Sequence, residues 1–244
     1  MEIHRRFTVI LSLGVLLSVH HLQLLAFDIE GRINVAPPWP KIQKITVKKD
    51  QGSCGHSQES QAFLISKEGY LQNVVVWLEG RFDDKAAVTP SRPVLDQKSC
   101  HFDPHILLVP QGQSFLIGNR DPVGHDVRAF DGSRMLFRFE MEPHSDPVEK
   151  KFEKSGRFVI RCGLHPWMHA YVISTDHPYY SLSDADGKFY LRDVPKGNYA
   201  LRIWHERLGD IKIPIELSKS VTDFSYTFPS ALNESRNNEE SKTV

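Results

Sequence analysis

The chain has 244 residues, with 30 Lys+Arg against 30 Asp+Glu and so no formal net charge, and with 40% apolar and 25% charged residues. Its mean hydropathy is −0.35, an ordinary globular composition that excludes a chain disordered throughout, a polytopic membrane protein and a collagen-like fibre. No excess of cations is available to neutralise phosphates, which excludes nucleic acid as the expected partner.

At the N-terminus, Arg5 and Arg6 precede the mostly apolar run 7–19, and a small residue, Ala26, follows at a cleavage-like position. This pattern predicts a signal peptide over residues 1–26. His20, His21 and Gln23 interrupt the apolar run before it reaches the roughly 20 residues needed to cross a bilayer, so no stable membrane span is expected after cleavage. The expected location is the periplasm or the exterior, where disulfides persist.

The body reads as all-β. Short β-branched or aromatic runs at 73–78, 106–109, 114–117, 157–160 and 211–217 are bounded by Gly, Pro, Asp or Asn, a spacing that suggests sandwiches or barrels. Segment 81–97 is polar and contains Pro90 and Pro93, which predicts a long surface loop. The pattern changes near Thr175. Beyond it come Asp184-Ala185-Asp186-Gly187, Val194-Pro195-Lys196-Gly197 and Trp204-His205-Glu206. Residues 27–174 are therefore predicted to form one domain with an N-terminal extension, and 175–228 a second. The tail 229–244 is Asn, Glu, Ser and Lys rich, too poor in apolar groups to offset the entropy of ordering, and is predicted to be disordered. The Asn233-Glu234-Ser235 sequon within it is read as a chance match.

One segment concentrates metal-binding chemistry. Cys162, His165 and Met168 place a thiol, an imidazole and a thioether within seven positions. Strand alternation puts Phe158, Ile160 and Cys162 on one face, with Val159 and Arg161 on the other, and a turn containing Gly163 and Pro166 would curl His165 and Met168 back toward the sulfur. Upstream, His125 shares an apolar face with Val127. Two imidazoles and a thiolate in a plane, with a weak axial thioether, is the donor set of a blue copper site. Zinc competes, but Met is a poor zinc ligand, and the Cys-x2-Cys pairs of structural zinc and the Cys-x2-Cys-His of haem attachment are absent from the sequence.

Cys54 and Cys100 are the remaining thiols. Pairing them leaves Cys162 free for metal, whereas a disulfide from Cys162 to either would remove the thiolate; both pairings stay open at this level. Two further readings of the same residues are a structural His125 beside an unmetallated Cys162, and Cys162 as a nucleophile with His165 or His169. The latter lacks an acidic orienter and an oxyanion feature in the sequence.

In Cys162, His165, Pro166, Trp167 and Met168, and in the order of Asn119, Asp121 and His125, the chain resembles the cupredoxins, with a ligand loop similar to that of amicyanin. The resemblance implies a Greek-key barrel or sandwich in which His125, Cys162, His165 and Met168 hold copper and Asn119, Asp126, Pro166 and Trp167 surround the ligands. Asp126 stands where the family usually has Asn, and Arg161 where a neutral residue is commoner. The Asp-x2-Gly-x-Phe, Val-Pro-x-Gly-x-Tyr and Trp-His-Glu words resemble those of a small carboxypeptidase-regulatory-like β-sandwich that follows such a domain in exported proteins of methylamine-utilisation type.

Other histidines admit quieter readings. His101 and His105 are placed to hold a second metal, or are surface or hydrogen-bonded histidines; His169 is expected to face away from the first site. Asp184 to Gly187 fits a hairpin better than a calcium loop, because Leu182 would occupy the first ligand position. Tyr199, Leu201 and Ile203 share one face and Trp204 and Glu206 the other, as in ordinary sheet capping. The functional expectation is an exported, non-enzymatic, one-electron copper carrier that meets a redox partner protein through an exposed edge of His165 beside Pro166 and Trp167. Alternatives are copper storage or delivery, and an envelope module whose second domain binds a glycan or a protein, with Tyr179, Tyr180 and Trp204 as the aromatic candidates.

Overall fold

Alternating burial organises this chain. In the computed structural model, which describes residues 26–40, 44–83, 85–87 and 90–230, the chain is all-β. The predicted signal peptide up to residue 25, and the tail with its sequon from residue 231, lie outside the described residues.

In chain order the elements are β1 (Ala26–Val35), β2 (Lys44–Thr46), the four-residue helix α1 (Gln51–Cys54), β3 (Ser57–Glu59), β4 (Val75–Glu79), β5 (Val94–Lys98) and β6 (His101–Asp103). Next come β7 (Ile106–Pro110), β8 (Ser114–Ile117), β9 (His125–Asp131), β10 (Arg134–Met141), β11 (Val148–Lys151), β12 (Gly156–Cys162) and β13 (His169–Thr175). The C-terminal strands are β14 (Tyr180–Leu182), β15 (Lys188–Pro195), β16 (Gly197–His205), β17 (Gly209–Leu217) and β18 (Val221–Phe228).

A five-stranded sheet, β10-β9-β12-β13-β7, faces a four-stranded sheet, β11-β8-β5-β6. Between them lie Leu95, Phe102, Phe115 and Ile117 from one side and Val127, Ala129, Ile160, Ala170 and Val172 from the other. A second pair of sheets, β14-β4-β16-β17 and β15-β1-β18, encloses Ile29, Ile33, Val76, Leu78, Phe189, Leu201 and Ile203.

A third apolar layer joins the two sandwiches. On β7 and β13, Leu107, Val109, Ala170 and Val172 point into the first core, while Ile106, Leu108, Tyr171 and Ile173 point the other way. They meet Val75 and Trp77 of β4, Trp204 of β16 and Tyr180 and Leu182 of β14. β4, β7 and β13 are thus covered on both faces, which is why they read as continuous apolar runs rather than as clean alternations.

Three sequence expectations are corrected. The sandwiches do not divide at residue 174: β1 pairs with β15 and β18 and β4 with β14 and β16, so early segments complete the second core. These pairings span well over a hundred residues, and composition along the chain does not register them. Segment 81–97 is not all loop either. Its end forms β5, which pairs with β8 and β6 and buries Leu95, Asp96 and Gln97; the polar side chains there find internal partners, Gln97 Nε2 donating to the Gly118 carbonyl at 2.9 Å. The Asp184 segment is a tight turn but not the expected β-hairpin: it carries the chain from β14 in one sheet to β15 in the other, its carboxylate accepting from the amides of Asp186 and Lys188 at 2.9 Å each.

Cys54 and Cys100 form a disulfide with Cα atoms 5.4 Å apart, tying α1 to the first sandwich. Cys162 is free and buried. Because Leu78 is fully buried in the second core, Leu78→Ala should lower the unfolding free energy by about 2–5 kcal/mol through lost transfer energy and the cavity left behind, read as a lower urea midpoint.

Candidate metal centre

Strand alternation delivers Phe158, Ile160 and Cys162 to the first core, with Arg161 turned outward. Past Cys162 the chain folds back on itself. The Met168 amide donates to the His165 carbonyl at 2.9 Å, the Cys162 amide to the Met168 carbonyl at 3.1 Å and the Gly163 amide to the Asp126 carbonyl at 2.8 Å. A Cβ at position 163 would meet the Asp126 carboxylate and the Arg128 guanidinium, so any other residue there would displace that ion pair. β9, hydrogen-bonded beside β12 with Val127 opposite Cys162, brings His125 to the same place.

The result is a triangle of electron-pair donors. Cys162 Sγ lies 3.6 Å from His125 Nδ1 and 3.6 Å from His165 Nδ1, and the two nitrogens are 3.1 Å apart. The circumcentre of a triangle with those sides is about 2.0 Å from each corner, close to the roughly 2.0–2.3 Å bonds that nitrogen and thiolate make to borderline divalent ions. All three residues are buried, so water has little competing access.

Both imidazoles are held from behind by carboxylates. His125 Nε2 meets Asp121 Oδ2 at 3.0 Å, and His165 Nε2 meets Asp50 Oδ2 at 2.9 Å. A proton on each Nε2 satisfies these contacts and leaves the Nδ1 lone pairs facing inward, the tautomer that a metal ligand requires. Asp121 is itself fixed: its Oδ2 accepts the Cys100 amide and its own amide donates to Asn119 Oδ1, each at 3.0 Å. The Asn119 side-chain amide in turn donates to the carbonyls of Val123 and Glu142.

Three lone-pair donors this close need a cation between them, a proton or a metal. The ionisation balance reflects that. Burial works against a charged thiolate, but hydrogen bonds from His125 and His165 and from the backbone amides of Asp126 and Leu164 bring Cys162 down to about 6. Burial likewise disfavours a charged His125, yet Asp121 and Cys162 raise it to about 9.

The expected surrounding residues have varied roles. Met168 is buried in the same core as Cys162. Trp167 donates Nε1–H to the Cys100 carbonyl at 3.1 Å and sets its ring 5.1 Å from that of His165, while Pro166 is exposed. Asp126 does not reach across the ligand loops with its side chain. Its carboxylate accepts from Arg128 and Arg138, and its backbone carbonyl makes the tie to Gly163.

One expectation fails outright. His165 is fully buried and its outer nitrogen is covered by Asp50, so it presents no exposed edge. Asp50 sits at the start of α1 in a left-handed conformation with no capping bond from its side chain; an Asp there would ordinarily cap the helix, but its carboxylate is directed to His165 instead. The proposed aromatic platform fails as well. Tyr179 and Trp204 are buried and Tyr180 stacks on Trp77. Asp50 and Asp121 were not singled out as site residues by the sequence. For Asp50, 115 residues from His165, no local signal exists; Asp121 lies four residues before His125 and is the nearer to being readable.

No family model matches the sequence, and no curated protein matches it. Solved structures resemble part of it. A purple cupredoxin from Nitrosopumilus maritimus is 22% identical over 34% of this chain and 99% of its own, with a TM-score of 0.31. A copper-containing nitrite reductase from Thermus scotoductus SA-01 is 22% identical over 37% of this chain and 24% of its own, at 0.32. A reduced amicyanin variant is 20% identical over 40% of this chain and 98% of its own, also at 0.32.

The carboxylates behind the imidazoles yield a prediction. Asp121→Ala and Asp50→Ala should each weaken metal binding at this centre by about 10–100-fold, the usual effect of removing an orienting partner, measured by competition with a chelator of known affinity.

Proposed function

We propose that the chain is an exported mononuclear copper protein that carries one electron between partner proteins in the periplasm or outside the cell. The observation that carries this reading is the triangle of His125 Nδ1, His165 Nδ1 and Cys162 Sγ; Met168, buried in the same core, would add a thioether to these donors. The donor chemistry fits copper: sulfur suits the cuprous ion and imidazole suits both oxidation states. Copper bound there would supply a reversible one-electron couple.

The protein's own part is to hold the ligands still. Cys162 is fixed at the end of a paired strand and His125 at the start of its neighbour, Asp50 and Asp121 lock the imidazole tautomers, and the core excludes water. A site whose ligands need not move on electron transfer has little reorganisation to overcome. Carriage rather than catalysis is the role proposed. Since Asp50 covers His165, a redox partner would dock on exposed Leu164 and Pro166, which flank His165 in the chain. The sandwich built from β1, β4 and the C-terminal strands would serve as the carboxypeptidase-regulatory-like accessory unit.

Adding Cu(II) to the purified chain should produce an intense visible charge-transfer band that Cys162→Ser abolishes, with a reversible wave in voltammetry. A band without reversibility would indicate copper storage or delivery; no band would remove the copper reading.

A further inference from the structure

A second convergence of donor atoms lies where the two sandwiches meet. His105 stands immediately before β7 and His169 opens β13, strands that run parallel with Tyr171 opposite Ile106. Both therefore emerge at the same edge of the five-stranded sheet. Glu206 follows β16 and reaches that edge from the other sandwich. Its two oxygens divide between the two rings: Oε1 contacts His105 Nε2 and Oε2 lies 2.8 Å from His169 Nε2. The three donor atoms all lie within 4.8 Å of one another.

The chemistry of these contacts is specific. An imidazole lone pair and a carboxylate oxygen repel unless a proton or a metal ion lies between them, and here two such contacts share one carboxylate. His169 Nδ1 lies 3.4 Å from the Trp167 carbonyl; with its hydrogen there, the Nε2 lone pair would be free to take a metal ion beside Glu206. The Glu206 side chain is only 6% exposed, so its charge needs a cationic partner at hand. His105 is also buried, so the ring and the carboxylate meet out of contact with bulk water.

We propose that His105, His169 and Glu206 form a second metal site, taking a divalent first-row ion such as Zn(II) or Cu(II) and fastening the two sandwiches together. Two imidazole nitrogens and a carboxylate, without sulfur, select borderline divalent ions and not Cu(I), which separates this site from the Cys162 centre. His169 directly follows Met168, so the two centres are neighbours in the chain, and the outward turn of His169 opposite the inward turn of Met168 assigns each to its own site.

The test is the number of zinc ions retained by the full chain in equilibrium dialysis, compared with Glu206→Gln and His169→Gln. The glutamine at 169 retains a hydrogen-bonding side chain at a partly exposed position, so this variant decides the matter if Glu206→Gln does not fold. Each variant should retain one zinc fewer than the parent, and should keep the Cys162-dependent visible band when loaded with Cu(II). Equal zinc retention by parent and folded variants would overturn the second site. The visible band reports on the Cys162 centre independently, so the two proposals fail separately.

Discussion

The rest of the structure depends on one electrostatic constraint: three electron-pair donors, two imidazole nitrogens and a sulfur, are pressed into a buried triangle 3.1–3.6 Å on a side. Left alone they would repel one another. They are held because each imidazole is anchored from behind by a carboxylate, and because β9 and β12 are hydrogen-bonded neighbours whose apolar faces are committed to one core. The carboxylates come from distant segments. Asp121 belongs to the loop before β9 and is fixed by Asn119 and by the Cys100 amide, while Asp50 is presented by a short helix that the Cys54–Cys100 disulfide fastens to the same sandwich. Disulfide, helix and ligand loop thus belong to one support whose product is a pair of inward-facing lone pairs.

The second constraint is the doubly covered sheet. β7 and β13 send alternate side chains into the core that holds Cys162 and into the layer shared with β4, β14 and β16. The same parallel pair that backs the first centre carries His105 and His169 at its edge, where Glu206 arrives from the other sandwich. The packing that joins the sandwiches therefore also sets the geometry of the second cluster, and a shift of one sandwich against the other would pull Glu206 from its two imidazoles.

What was legible in the sequence was local. The spacing of Cys162, His165 and Met168, and the alternation of Phe158, Ile160 and Cys162, are statements about neighbours a few positions apart, and a strand period of two is enough to orient them. The all-β class followed from the same periodicity. Long-range closure was not legible. Nothing near Asp50 says that its carboxylate will seal His165 rather than cap its helix, and nothing near β1 or β4 says that they complete a sandwich begun by the C-terminal strands. β5 was hidden for another reason: Asp96 and Gln97 make it look polar, yet they are buried, with Gly118 accepting from Gln97 Nε2 and Arg120 pairing with Asp96 from the loop after β8. The exposed edge expected for His165 failed on the same long-range contact, and Tyr179 and Trp204 looked like surface aromatics only because the layers covering them come from elsewhere in the chain.

The central claim is that Cys162, His125 and His165 share one copper ion. X-ray absorption at the copper edge, recorded on the chain loaded with a single equivalent, tests it most directly. The account predicts one short sulfur bond together with two imidazole nitrogens, the sulfur contribution vanishing in the Cys162 serine variant. A shell made only of nitrogen and oxygen would contradict it.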